Sequence, residues 1–303
     1  MDLEEIIVLK TNVDRLIKLS VVGEVASPTI RNVYTISATG RPQVLPGVGG
    51  VTYNLRVGDS ALGWEADHVE PGASVVNREN DPRSGQGANT AFNVLACVGN
   101  QAVVASGEAK GDIGTVVGKH GGIEHVMVDF SKEVLEKLLP GDKILIKSYG
   151  TGLKLQQYFP DIKVINTDPA LLEAWDPQPI GEKLGVPVTH HIPAAIMGSG
   201  LGANQTNSGD YDIQLFDETI VEQYGLETLR LGDLVAIIDA DHSFGRIYRR
   251  GAVSVGVVVH TNCICAGHGP GVTTLMTSSE GRIVPHITPD ANIASLLKLR
   301  ADI

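Results

Sequence analysis

The sequence predicts a mostly β protein with short helices, an α+β fold, and three observations carry that reading. Glycine takes 35 of 303 positions, about 12% against a usual share near 7%. These glycines stand singly or in pairs between short Val/Ile-rich runs, the pattern of many short strands joined by tight turns. Helical signals are fewer, and each spans only two to three turns.

Residues 14–24, 51–57, 113–118, 124–129 and 143–147 read as strands, followed by 162–166, 234–239 and 252–260. The last is apolar nearly throughout, which suits a strand buried on both faces. Ser131 can cap SKEVLEKLL, which Pro140-Gly141 stops. Asp168-Pro169 opens ALLEAW as N-cap and first helical residue. Asp217 caps ETIVEQY, ended by Gly225, and Thr288-Pro289 opens a C-terminal helix, DANIASLLKLR. Three Gly-Asp pairs, Gly58-Asp59, Gly141-Asp142 and Gly232-Asp233, read as tight turns whose aspartate bonds nearby backbone. Residues 77–90 are polar and rich in turn formers, a surface loop. A boundary near 149–160 divides the chain into β-rich domains at 1–152 and 153–303.

Charge and composition exclude some functions. Lys and Arg number 24 against 35 Asp and Glu, a net charge of −11. A general nucleic-acid binder needs a basic face to neutralise phosphates, so no nucleic-acid partner is expected. No apolar run approaches the roughly 18–20 residues that span a bilayer, and no membrane partner is expected either. The acidic start, Met1 to Glu5, is unlike the basic start of a secretory signal. Three cysteines, Cys97, Cys263 and Cys265, make no disulfide framework, so the expected location is cytoplasmic. A mean hydropathy of +0.07 with 5% aromatic residues points to apolar surface hidden between copies of a homo-oligomer.

Residues 103–130 alternate strand and glycine turn in the order Gly107, Lys110-Gly111, Gly114, Gly121-Gly122. This stretch resembles the KOW-type segment of small SH3-like barrels. Lys110 and Lys119 face Glu108, Asp112, Glu124 and Asp129, net −2, so the segment reads as structural rather than RNA-binding.

Candidate chemistry gathers in three places. In GDSALGWEADHVEPG, Asp67, His68 and Glu70 offer oxygen and nitrogen donors and a proton-shuttling carboxylate, and they are the catalytic candidates. In the C-terminal half, Asp239 and Asp241 follow the apolar stretch 234–238. His260 ends the strand at 252–260, and His268 lies just beyond. Adjacent strands bringing these four to one sheet edge would hold a divalent zinc, manganese or iron ion. Cys263-x-Cys265 would place two thiols on one strand face. Gly198, Ser199 and Gly200 form a glycine-rich loop whose amides can bind an anion, and His120, at a barrel turn, can line the same ligand cleft. No nucleotide fingerprint or nucleophile elbow is present.

Together, GDSALGWEADHVEPG, VVGKHGGIEHV, IPAAIMGSGLGA, SGDYDIQ and GAVSVGVVVHTNCICAGHGPGV resemble one prokaryotic family, domain of unknown function 4438. The resemblance implies a two-part, β-rich, self-assembling protein and assigns no activity. A second, local resemblance links Leu231-Gly232-Asp233, the following strand and Asp239-Ala-Asp241-His242 to acetamidase/formamidase-type amide hydrolases. Ser243-Phe244-Gly245-Arg246 stand here where Gln and Glu usually follow the histidine. The leading expectation is a metal-dependent enzyme acting on a small molecule, by hydrolysis of an amide or similar bond. The alternative is a non-enzymatic, oligomeric binding or assembly protein.

Overall fold

The structure, a computed structural model, describes residues 9–30, 32–79 and 87–302. Strands take 35% of the chain and helices 14%, so sheet dominates, as the glycine-punctuated Val/Ile runs predict. In the N-terminal half the strands are β1 (Leu19–Val25), β2 (Thr35–Ile36), β3 (Pro42–Gln43), β4 (Val51–Thr52), β5 (Gly72–Val76), β6 (Gln101–Val104), β7 (Ile113–His120), β8 (His125–Asp129) and β9 (Lys143–Ser148). Six of these run in the order β1-β9-β6-β7-β8-β5. Glu24 and Val25 then pair with Val76 and Val75, which closes the ring into a barrel. The KOW-like segment supplies the end of β6 and all of β7 and β8. Inward positions alternate along each strand, and Val25, Val75, Val104, Val116, Val128, Ile144 and Ile146 fill the interior.

The C-terminal half holds β10 (Lys163–Val164), β11 (Gln178–Ile180), β12 (Lys183–Val188), β13 (His190–Pro193), β14 (Leu234–Asp241), β15 (Ile247–Val258), β16 (Val272–Ser278) and β17 (Ile283–Ile287). They form a five-stranded sheet, β10-β16-β15-β14-β13, and a three-stranded one, β11-β12-β17. The apolar run at 252–258 is buried, as its composition requires. One core joins the halves: Val57, Val98, Val117 and Met127 pack with Leu184, Leu234, Val255 and Leu275.

The docking of barrel on sheet is local and specific. At a bulge between Val116 and Gly118, β7 presses Gly118 against Val259. A Cβ at Gly118 would overlap the Val259 side chain, so only glycine permits this approach. The next residue, Lys119, brackets Thr273 with its own backbone: its amide donates to Thr273 Oγ1 at 3.1 Å, and that hydroxyl donates back to the Lys119 carbonyl at 2.9 Å. The end of β7 is thereby fixed beside the end of β15.

The helices are α1 (Ala88–Leu95), α2 (Lys132–Leu135), α3 (Pro169–Trp175), α4 (Glu218–Tyr224) and α5 (Ile293–Leu296). Asp168 caps α3 and Asp217 caps α4 through their carboxylates, and Gly225 ends α4 at φ 66°. Three sequence expectations need correction. Within the loop read at 77–90, residues 88–90 already belong to α1, while 80–86 lie outside the described residues. Its start is hidden because Gly87 stands at the N-cap without a side-chain bond. The C-terminal helix opens at Asn292, whose side chain accepts from Ala294, not at Thr288-Pro289. The strand read at 51–57 stops at Thr52, because Arg56 is captured by a turn.

That turn recurs at all three Gly-Asp pairs. Asp59, Asp142 and Asp233 each accept, through Oδ2, the amide three residues back, at 2.8, 2.9 and 2.8 Å. Their surroundings differ. Asp233 is fully buried and also accepts from Asn292 Nδ2 at 2.8 Å, whereas the Leu139–Asp142 turn is exposed. Asp233→Ala leaves buried donors unpaired and is expected to cost about 3 kcal/mol, and Asp142→Ala about 1 kcal/mol or less. Urea unfolding of the two variants beside the parent measures the difference.

Candidate metal centre

Where the barrel meets the C-terminal sheet, a cavity of about 1030 Å³ opens. Three histidines, His68, His120 and His268, line it, and a fourth, His260, lies buried behind them, each from a separate element. His120 ends β7, His260 follows β15, His68 lies on the loop before β5, and His268 lies on the loop before β16. The rings of His120 and His260 stack at 4.3 Å, and His68 stands 5.1 Å from His260 and 5.0 Å from His268.

The tautomers of two rings follow from their partners. Nδ1 of His120 lies 2.7 Å from Glu70 Oε1, and Nδ1 of His260 lies 2.9 Å from the Thr261 carbonyl. An ionised carboxylate and a carbonyl only accept, so each Nδ1 carries the proton and Nε2 is left to face the cluster. Asp210 completes this group: one donor atom each from His120, Asp210 and His260 lies within 4.8 Å of the others. All three residues are buried. Nε2 of His260 lies 2.7 Å from Asp210 Oδ2, an ion-pair distance without hydrogen-bond geometry. Both atoms are buried without a hydrogen-bond partner among the described residues. Two adjacent donors that fail to bond each other are what a shared cation would satisfy. Gly271 keeps this space open, since a Cβ there would overlap both Asp210 Oδ2 and His260 Nε2.

A second group abuts the first. Nδ1 of His268 lies 3.0 Å from Asp212 Oδ2 and 3.1 Å from His68 Nε2. The Asp212 carboxylate reaches toward both groups, with Oδ1 3.7 Å from His260 Nε2. Cys263 Sγ donates to Asp67 Oδ1 at 2.9 Å, and Asp67 also stands 3.2 Å from His68 Nδ1. His68, Cys263 and His268 form one further set able to hold an ion, and Asp67, Cys263 and Cys265 another. The two thiols share no strand, because β15 ends at Val258 and Cys265 turns its amide onto Cys263 Sγ.

Charge in this cluster is tightly paired. Burial works against a second proton on His260, but the carboxylates of Asp210 and Asp212 outweigh it and hold the imidazole well above its ordinary range, so an ion bound at Nε2 would displace a proton. Burial likewise opposes charge on Asp212, and its contacts with His260, His268 and His68 still drive it far down. Asp67 is lowered to about 2, its burial overcome by His68 and Cys263. Burial and Asp67 together push the Cys263 thiol strongly up, so it stays protonated unless a metal claims it.

Several sequence-predicted residues gather here, and others do not. Asp67, His68, His120 and His268 line the cavity, with His260 buried beneath them. Glu70 lies behind the site. It is 1% exposed and grips His120 and His125 while accepting from the Gly49 amide and the Ser74 hydroxyl. Its contacts orient the His120 ring from behind, and the two histidines hold it well below the usual carboxylate range against its burial. Asp239 and Asp241 are at the other end of the sheet, because β14 and β15 are antiparallel. The Ala240 carbonyl takes the Ser254 hydroxyl, and the six steps along the chain from Ser254 to His260 span about 20 Å. Asp239 instead forms a bulge at φ 65° and accepts from the Gly251 amide, and Asp241 accepts from Ser243.

The loop of Gly198, Ser199 and Gly200 is no amide cradle. Gly198 donates to Asp212 and Ser199 to Gly267, so those amides are spent bracing the ligand loop, while Ser199 and Gly200 line the wall. Sequence reasoning missed Asp210 and Asp212 as donors. Their signal was present in SGDYDIQ, where two aspartates at alternate positions point to one side of an extended segment.

Glu70→Gln is expected to weaken metal binding by about 10- to 100-fold by freeing the His120 ring. Asp239→Ala and Asp241→Ala should leave it unchanged. Competition with a chromophoric zinc chelator reads all three.

Comparison with known proteins is consistent with a shared fold across the whole chain. A solved structure described as the crystal structure of TM1086 is 50% identical, with a TM-score of 0.88, covering 94% of this chain and 98% of its own. No curated protein matches the chain. The local likeness to amide hydrolases gains no support from these comparisons, and its Asp239-to-His242 turn lies away from the cavity floor. Family models for the N-terminal and C-terminal parts of domain of unknown function DUF4438 match residues 34–173 and 178–297. Between them they take in the barrel hairpin with His120, the SGDYDIQ loop and the His260–His268 segment, and the chain belongs to this DUF4438 family.

Proposed function

We propose that this protein is a metal-dependent enzyme acting on a small molecule, by hydrolysis of an amide or similar bond. One observation carries the reading: His120, Asp210 and His260 bring one donor atom each within 4.8 Å of the others beside the cavity, and two of those atoms are buried 2.7 Å apart without hydrogen bonds. A mixed imidazole and carboxylate set suits zinc, manganese or iron. Such an ion lowers the pKa of its water toward neutrality and polarises a carbonyl. Glu70 holds His120 by Nδ1, and Thr261 holds His260 in the same way. His268, with 37% of its side chain exposed and Asp212 at its Nδ1, is the group positioned to carry a proton between the cavity and solvent.

Elemental analysis of protein purified without affinity tag or chelator tests this. Near-stoichiometric zinc, manganese or iron is expected, falling at least tenfold in both His120→Ala and His260→Ala. A parent protein that takes up none of the three after dialysis against each overturns the metal reading. Loaded protein that cleaves no member of an amide and ester panel overturns the hydrolase reading.

A second reading, a non-enzymatic homo-oligomeric binding protein, is favoured by a separate observation. Ile30, Val33, Tyr34, Ile36 and Val44 are all more than half exposed, and four of them rim the cavity. Apolar groups in such number suit cover by a second copy. Light scattering is expected to give at least a dimer, and Val33→Asp with Ile36→Asp to shift it toward monomer.

A further inference from the structure

We propose that Arg246 binds the carboxylate of the small molecule that occupies the cavity, an inference resting on the reading of that cavity as the active site. Arg246 stands in the cavity wall on the hairpin between β14 and β15, and is only 3% exposed. Among the described residues its side chain makes one hydrogen bond, from Nη2 to the Ser208 carbonyl at 3.2 Å. Nε is buried without a partner, and among the described residues no carboxylate comes within ion-pair distance, the charges of Asp210, Asp212 and Glu124 acting from farther off. A guanidinium remains charged in proteins, and a buried charge left unpaired is expensive unless a ligand completes it.

Of the three acids nearest Arg246, Glu124 lies on the exposed hairpin turn and its carboxylate takes only the Gly122 amide among the described residues, and the other two are already engaged. Asp210 faces His260, and Asp212 faces His268 and His68. A divalent ion held by those groups would draw on the same carboxylates and leave the guanidinium less balanced still. The Tyr211 ring, 5.9 Å from the guanidinium carbon, closes one side of it.

The wall also narrows the class of ligand. Arg246 is the one Lys or Arg among the described lining residues, against Asp67, Glu124, Asp210 and Asp212. A single fixed cation among several anions suits a monoanion better than a phosphate dianion. Ile30, Val33, Ile36, Leu45 and Ile123 line the remaining wall, which fits an apolar body behind the carboxylate.

Isothermal titration of the full-length protein with butyrate and with inorganic phosphate tests this, in metal-stripped and zinc-loaded forms. The parent should bind one butyrate per chain and bind phosphate more weakly. Arg246→Gln should weaken butyrate at least tenfold in both forms, with zinc content unchanged. Arg246→Lys, which keeps the charge without the planar fork, should lose about threefold and serves where the glutamine variant melts early. Equal butyrate affinity in parent and variants overturns the proposal, as does a parent that binds neither anion. Preference for phosphate overturns the carboxylate assignment. If the parent takes no zinc yet loses butyrate through Arg246→Gln, the metal centre falls and this subsite stands.

Discussion

The site depends on one buried anion. The Glu70 carboxylate is out of contact with water and survives there because four groups donate to it: His120, His125, the Ser74 hydroxyl and the Gly49 amide. A carboxylate so placed carries a desolvation penalty of several kcal/mol, which only complete hydrogen bonding offsets. The same bonds tie three pieces of chain together, the loop near Gly49, the strand β5 and the hairpin of β7 and β8. They also turn His120 so that its second nitrogen faces the cavity. The orientation of that cavity-facing edge is therefore a by-product of satisfying a core charge.

Positioning also relies on the barrel meeting the C-terminal sheet at one place. Gly118 against Val259 and Lys119 around Thr273 set the end of β7 beside the end of β15. Lys119 itself is fully buried, its ammonium donating to the Asn166 side chain and the Asn207 carbonyl, and burial lowers it to about 8. It ties the strand carrying His120 to the loop that leads to Asp210. The donors thus come from a barrel strand, a sheet strand and a loop, and none would assemble without the interface.

Much of the architecture was legible in the sequence because short-range physics decides it. Strand identity follows from alternating or continuous apolar runs, and Asp168 and Asp217 are read directly as caps because a carboxylate beside free helical amides has few other uses. The Gly-Asp turns were legible for the same reason. What the sequence hides is register. Asp239 and Asp241 share a strand-end context with His260, and only the antiparallel pairing of β14 with β15 separates them. Asp210 and Asp212 alternate in a two-residue pattern too short to mark a strand, and Glu70 is recognisable as a support only once His120 and His125 are seen across the barrel. Helix α1 escaped because glycine at its cap gives no side-chain signal.

The sheets end in ways that bear on how copies of this chain can meet. The barrel closes on itself, so its ring offers no open ladder of amides. In the five-stranded sheet the outer members are β10, two residues long, and β13, which ends in Pro193. The three-stranded sheet is flanked by β11 and β17, interrupted by Pro179 and Pro285. Short or proline-bearing borders cannot template another strand. Growth by main-chain pairing into extended fibrils is disfavoured at these borders, so contacts made there between copies fall to side chains, where a single substitution can edit them.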